Sequence, residues 1–144
     1  MEGFSVRWRD LYFNVEGEEV VRRAFFSRNP VFDFKENELS ERLRRYFRGE
    51  KVSFECKLEL DFPAFTKRVL KRVLEIPYGE TLTYGEIAKE LKSSARAVAR
   101  ALSMNKIAVI IPCHRVVSKN GLGGYSWGVE VKKALLRLEG VNFP

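Results

Sequence analysis

Histidine is almost missing from this 144-residue chain: it occurs once, at His114, and cysteine occurs twice, at Cys56 and Cys113. Two thiols are too few for a disulfide scaffold. With a single imidazole they also cannot assemble the usual Cys/His zinc site, so no metal is expected. No apolar run approaches the roughly 20 residues that a membrane-spanning helix requires, and no membrane association is expected. The opening residues MEGFSVRWRD interleave charged and apolar side chains, which is not the pattern of a secretory signal. A reducing cytoplasm, where a free thiol persists, is the expected setting. What remains is an ordinary globular composition, 45% hydrophobic and 31% charged, in a chain long enough for one good core or two small ones.

Acidic residues are scarce in only one half. Residues 1–60 hold 12 Lys/Arg against 12 Asp/Glu, whereas residues 61–144 hold 14 against 7, so the whole net charge of +7 lies in the second half. A polyanion-binding domain and a generally basic, solubilising surface both produce this asymmetry.

The first half reads as a small α+β unit. Leu11–Val15 and Val20–Phe26 are β-prone runs with Gly17 marking a turn between them. Glu38–Arg48 is helical, with Leu39, Leu43, Tyr46 and Phe47 on one stripe and Gly49 ending it. Lys51–Leu60 alternates, which makes Cys56 an inward-facing packing residue. The domain boundary falls near Asp61, expected to cap a helix whose first turn contains Pro63 and whose end is Ile76-Pro77-Tyr78-Gly79.

In the second half, Thr83-Tyr84-Gly85-Glu86 is a capping box opening a short helix to about Leu91. After a three-residue break, Ser94 caps another from Ala95 to about Met104, with alanines at 95, 97, 99 and 101 and with Arg96 and Arg100 as its long cations. Two short helices so joined fit a helix-turn-helix and equally an ordinary helical hairpin. Ile107–Ile111 reads as a short buried strand. A glycine-rich loop spans Asn120–Gly128, and a last helix runs from about Val129 to Glu139, with Val131, Ala134, Leu135 and Leu138 as its inner stripe.

The chemistry concentrates in Pro112-Cys113-His114-Arg115-Val116-Val117, where the sole histidine adjoins a cysteine. Thiolate is the reactive form of cysteine, and imidazole is a common acceptor of its proton. A buried small cysteine beside a surface histidine is the bland alternative. In a regular strand the two side chains would diverge, so cooperation requires a turn here. The amino end of a short helix would also favour the thiolate.

This motif, together with Ile76-Pro77-Tyr78-Gly79-Glu80, Thr83-Tyr84, Ala95-Arg96-Ala97-Val98, Asn105, Gly124-Tyr125-Ser126 and Leu138-Glu139-Gly140 in that order, resembles the O6-alkylguanine-DNA alkyltransferases. The resemblance covers residues 61–144 and is loose over the first half. It implies an N-terminal α/β domain, 1–60, with a ribonuclease H-like antiparallel sheet, and a mainly helical DNA-binding domain, 61–144, containing a helix-turn-helix. It implies single-turnover transfer of the alkyl group from O6 of guanine to Cys113, with O4-alkylthymine as a second candidate substrate and no cofactor. His114 would take the thiol proton through a water, Glu139 would orient the imidazole, and Asn105 would brace the turn. Tyr84 and Ser126 would donate to the base in a pocket walled by Tyr125 and Leu102, with carbonyls near Cys113 and Val116 reading its amine. The partner implied is double-stranded DNA entered through the minor groove by a monomer, with Arg96 replacing the flipped nucleotide beside Ala95 and Ala97. Arg100, Lys106 and Arg115 are candidates for phosphate contacts or structural pairing. The protein would be cytoplasmic, and nucleoid-associated when bound. Three other readings stand beside this one: a non-catalytic lesion binder, a helix-turn-helix redox regulator and a cysteine hydrolase.

Overall fold

The structure, a computed structural model, describes residues 2–17 and 19–142. It is a mixed α/β chain of two compact units: residues 1–60 with 106–110, and residues 61–105 with 111–144. The expectation of one continuous second domain over 61–144 thus misses a segment, because Lys106–Ile110 packs with the first unit.

In that unit β1 (Gly3–Trp8), β2 (Leu11–Glu16) and β4 (Arg23–Ser27) form an antiparallel sheet in the order β1-β2-β4. Pairs such as Val6 with Phe13 and Phe13 with Phe26 put apolar side chains on one face. There α1 (Glu38–Phe47), capped by Asn37, delivers Phe47 against Trp8 at 5.1 Å and Phe13 at 5.6 Å. The opposite face carries Ser5 and Asn14, buried and hydrogen-bonded at 2.7 Å. Two-residue strands β3 (Val20–Val21) and β5 (Lys57–Leu58) pair in parallel. The alternation over 51–60 does appear in the burial pattern, but only Lys57–Leu58 of it forms a strand, and Cys56 is half-exposed. Ile107–Ile111 is not a strand. It makes one bridge, Ala24 to Ile107, and turns sharply at Val109 (φ 65°).

The second unit packs α2 (Ala64–Val73), α3 (Tyr84–Glu90) and α4 (Ala95–Ser103) around Val69, Leu70, Ile87, Val98 and Leu102. Pro63, not Asp61, occupies the N-cap of α2, so that helix starts without a side-chain cap. The caps of α3 and α4 are as their sequences require. Thr83 accepts from the Glu86 amide while Glu86 reaches back to the Thr83 amide, and Ser94 accepts from the Ala97 amide at 3.1 Å. Residues Cys113–Arg115 form one 3₁₀ turn, followed by β7 (Val116–Val117), which pairs in parallel with β6 (Leu82–Thr83). The last helix, α5 (Val129–Leu138), buries Lys132, Leu135 and Leu136, and its C-cap Glu139 is buried too. Its inner stripe is therefore rotated from Val131 and Ala134 toward Lys132 and Glu139.

Candidate active site

The turn expected at Cys113 is present, and it follows Pro112 within a stretch that is buried from Ile107 to Val117. Asn105, just past the C-cap of α4, reaches across to hold it: its amide nitrogen donates to Cys113 Sγ at 3.1 Å and to the Ile111 carbonyl at 3.4 Å. Cys113 is only 6% exposed, yet it opens on a cavity of about 320 Å³. Tyr84, Leu102, Tyr125 and Ser126 line that cavity with it, and Ala99, Ser103 and Gly124 complete the wall. Burial pushes the thiol up to about 11, against the downward pull of the Asn105 amide, the Lys132 charge and the turn's own backbone. Burial thus outweighs the thiolate-favouring pull of the turn. The sulfur rests as a thiol, and its proton has to be removed as reaction proceeds.

Next to it lies the means of removal. His114 is fully buried, with Nε2 at 2.6 Å from Glu139 Oε2. A carboxylate only accepts, so Nε2 carries the proton in this pair and Nδ1 bears the lone pair. Burial holds the imidazole below its ordinary value, so it is neutral and basic at neutral pH, although Glu139 pulls the other way. Glu139 sits at the C-cap of α5, where the helix dipole disfavours an anion, and it needs compensation. Arg115 supplies it with two bonds, Nε to Oε1 at 2.8 Å and the guanidinium to Oε2 at 3.0 Å, while the Gly79 amide donates to Oε1 at 3.0 Å. Burial alone would raise this carboxyl, but His114 and Arg115 outweigh it and hold it far below the carboxylate range.

The Ile76–Glu80 segment encloses this carboxylate. The Ile76 carbonyl accepts from Arg115 at 2.8 Å, and Gly79 turns at φ 81° with the Glu139 backbone so near that a Cβ would stand 3.3 Å from its carbonyl oxygen. A second glycine performs the same service for Tyr84. Gly123, at φ 75°, lies where any Cβ would come within 3.0 Å of the Tyr84 ring and hydroxyl. The close approach permitted by this glycine-rich loop is thus to a tyrosine of the protein itself.

The profile of the family described as "6-O-methylguanine DNA methyltransferase, DNA binding domain" matches residues 64–141. A methylated-DNA–protein-cysteine methyltransferase of Archaeoglobus fulgidus is 47% identical over 146 residues, covering 96% of this chain and 99% of the relative. The chain belongs to this methyltransferase family. Among solved structures, Mycobacterium tuberculosis OGT in complex with DNA is similar at TM-score 0.84, with 35% identity over 96% of this chain and 92% of that one. The O6-methylguanine-DNA methyltransferase of Pyrococcus kodakaraensis KOD1 is similar at TM-score 0.77, with 28% identity over 97% of this chain and 98% of that one.

Set against the family pattern, the structure brings Cys113, His114, Asn105 and Glu139 into one connected network and Tyr84, Leu102, Tyr125 and Ser126 into one cavity with the sulfur. The rings of Tyr125 and Trp127 meet edge-on at 5.2 Å. Ala95, Arg96 and Arg100 are exposed on α4, and Ala97 is half-buried. Of the two roles open to Arg115, the structure gives structural pairing and excludes phosphate contact, since the side chain is buried and bonded to Glu139 and Ile76. Val116 is not among the residues that line the cavity; its carbonyl accepts from Lys132 at 2.7 Å and keeps a second lone pair. Lys132 itself was missed. It hides in a helix as a cationic letter, yet it stands at i, i+3, i+4 and i+7 with Leu135, Leu136 and Glu139, the buried stripe of α5. Among the described residues no group of three or more His, Cys, Asp or Glu side chains is placed to hold a metal ion, and no helix is long and apolar enough to cross a membrane.

Proposed function

We propose that this methyltransferase repairs DNA by moving the alkyl group from O6 of guanine onto Cys113, once per molecule. His114 takes the thiol proton through a water, Sγ attacks the alkyl carbon, and the C–O bond breaks with its electrons passing to the purine. Donors to the base relieve that charge, and Tyr84 and Ser126 on the cavity wall are suited to the task. The product is a thioether and an intact guanine. One observation carries the reading: a buried thiol, gripped by Asn105, faces a cavity while a neutral imidazole on a buried carboxylate lies in the same turn.

The reaction requires the nucleotide to leave the duplex, at a cost of a few kcal/mol. Exposure of Ala95, Arg96 and Arg100 supports entry of α4, the second helix of a helix-turn-helix with α3, into the minor groove. Small alanines let the helix approach, and Arg96 fills the vacated place. The antiparallel β1-β2-β4 sheet with α1 on one face supports the ribonuclease H-like reading of the first unit. The protein would act as a monomer in the cytoplasm. With O6-methylguanine duplex DNA, Cys113→Ser should restore no guanine, and Cys56→Ser should restore it at the parent rate. Activity surviving in Cys113→Ser would refute the proposal.

A further inference from the structure

The arginines of α1 are neutralised where they stand. Arg42 pairs with Glu38 at 3.4 Å, Arg44 with Glu36 at 2.6 Å and Arg45 with Glu50 at 3.1 Å. The helix α2 is built the other way: Ala64–Val73 contains Lys67, Arg68, Lys71 and Arg72 and no acidic residue. Of these, Arg72 is held by Glu90 at 2.6 Å. Lys67, Arg68 and Lys71 are exposed, and none of the three forms an ion pair among the described residues. Like charges at i and i+4 work against a helix, and a surface that serves only solubility intersperses both signs. A row left uncompensated suits a ligand that brings the negative charge itself.

The α2 row continues one on α4. The exposed face of α4 has two edges. Ala95, Ala99 and Ser103 stand at i, i+4 and i+8, and Ala99 and Ser103 line the cavity that holds Cys113. Beside them Arg96, Arg100 and Met104 form a second exposed row at the same spacing. That row ends on α2: the Thr66 hydroxyl, in the first turn of α2, donates to the sulfur of Met104, the C-cap of α4, at 3.3 Å. Lys67 follows Thr66 directly. Arg96 to Met104 covers about 12 Å at about 1.5 Å per residue, matching roughly three to four phosphates of one DNA strand. The nearby acids are engaged elsewhere, Glu75 and Glu90 with Arg72, Glu86 in the cap of α3 and Glu139 in the active site.

We propose that α2 is a second DNA contact: Lys67, Arg68 and Lys71 hold backbone phosphates of the duplex arm that lies beyond the C-terminal end of α4. This rests on the reading of the chain as a DNA repair protein. Contact of this kind recognises phosphate charge and carries no base specificity. It fixes the flanking arm while the damaged nucleotide enters the cavity, and so offsets part of the cost of opening the stack.

The test is a titration, by fluorescence anisotropy over a series of salt concentrations, of a duplex with a central O6-methylguanine and arms extending past the protein on both sides. Two further duplexes have one arm or the other trimmed close to the lesion. On the long duplex, Lys67→Ala/Lys71→Ala should reduce the magnitude of the log–log salt slope by about 2 and weaken binding about tenfold at low salt. On one trimmed duplex this difference from wild type should vanish, and on the other it should persist. Arg137→Ala removes an exposed cation from α5 and should leave the slope unaltered. Lys67→Gln/Lys71→Gln replaces the alanine pair if urea unfolding shows the latter to be destabilised. A slope that the lysine pair does not alter, a loss per charge as large in Arg137→Ala, or a difference that survives trimming of either arm would overturn the α2 contact. A wild-type protein that does not bind the long duplex at low salt would instead overturn the DNA reading on which it rests.

Discussion

Glu139 collects an imidazole, a bidentate guanidinium and a backbone amide on one buried carboxylate, and its neighbours' behaviour follows from that. Removing one member of a buried charge network leaves the others uncompensated, at about 3–5 kcal/mol. Glu139→Gln should therefore lower stability by roughly that amount, read from urea unfolding. It should also slow transfer and raise the apparent pKa of Cys113 in the rate profile. An unchanged rate profile would remove Glu139 from the proton path. The same residues set the acid limit. His114 and Glu139 both titrate below their ordinary values of 6.5 and 4.5 when folded, so as the pH falls the unfolded chain gains protons first. The stability these two groups contribute should be fully present above pH 6.5 and drop progressively below it, more steeply below pH 4.5. Alkaline pH brings opposed effects: Lys132, lowered to about 8, adds stability as the pH rises toward 10.5, and Cys113, raised to about 11, removes it above 9. A urea midpoint that holds constant from pH 7 to 4 would contradict the buried pair.

The helix α4 combines an exposed edge of Ala95, Arg96 and Arg100 with a buried edge of Val98, Ala101 and Leu102. Arg96→Ala should impair repair of O6-methylguanine in duplex DNA at least 10-fold more than reaction with free O6-benzylguanine, since only the duplex must release a nucleotide. Equal losses would refute the wedge. Elements with caps and a 3.6-residue stripe, such as α1, α3 and α4, were legible because local chemistry and packing agree in them. Strand β1 was not read, although Phe4, Val6 and Trp8 alternate, because its turn to β2 uses Arg9 at φ 58° in place of a glycine. Ile107–Ile111 misled in the opposite way, since an apolar run buried all round looks the same whether or not it pairs. At the site, Cys113, His114, Asn105 and Glu139 were legible through ordered motifs. Lys132 was not, because a lysine letter argues for solvent, and for the same reason Arg115 stood open between phosphate contact and structural pairing. Only the packed structure reveals which cations are enclosed.

At the scale of the molecule, the net positive charge and the chemistry lie in the same half, with the thiol, its base and the exposed Arg96 and Arg100 all in residues 61–144. DNA affinity should fall steeply with salt, and Arg100→Ala should reduce the magnitude of the log–log salt slope by about 1, whereas Arg115, being enclosed, sets no part of that slope. A slope that Arg100→Ala leaves unaltered would remove Arg100 from the phosphate contacts. All of this depends on a protonated, sheltered sulfur becoming the resting place of the lesion. The most direct measurement is mass spectrometry of the protein after incubation with excess O6-methylguanine duplex. The account requires every active molecule to gain one CH₂ unit, and no more, on the peptide that contains Cys113. An unmodified protein, or a methyl found on the peptide containing Cys56, would contradict it.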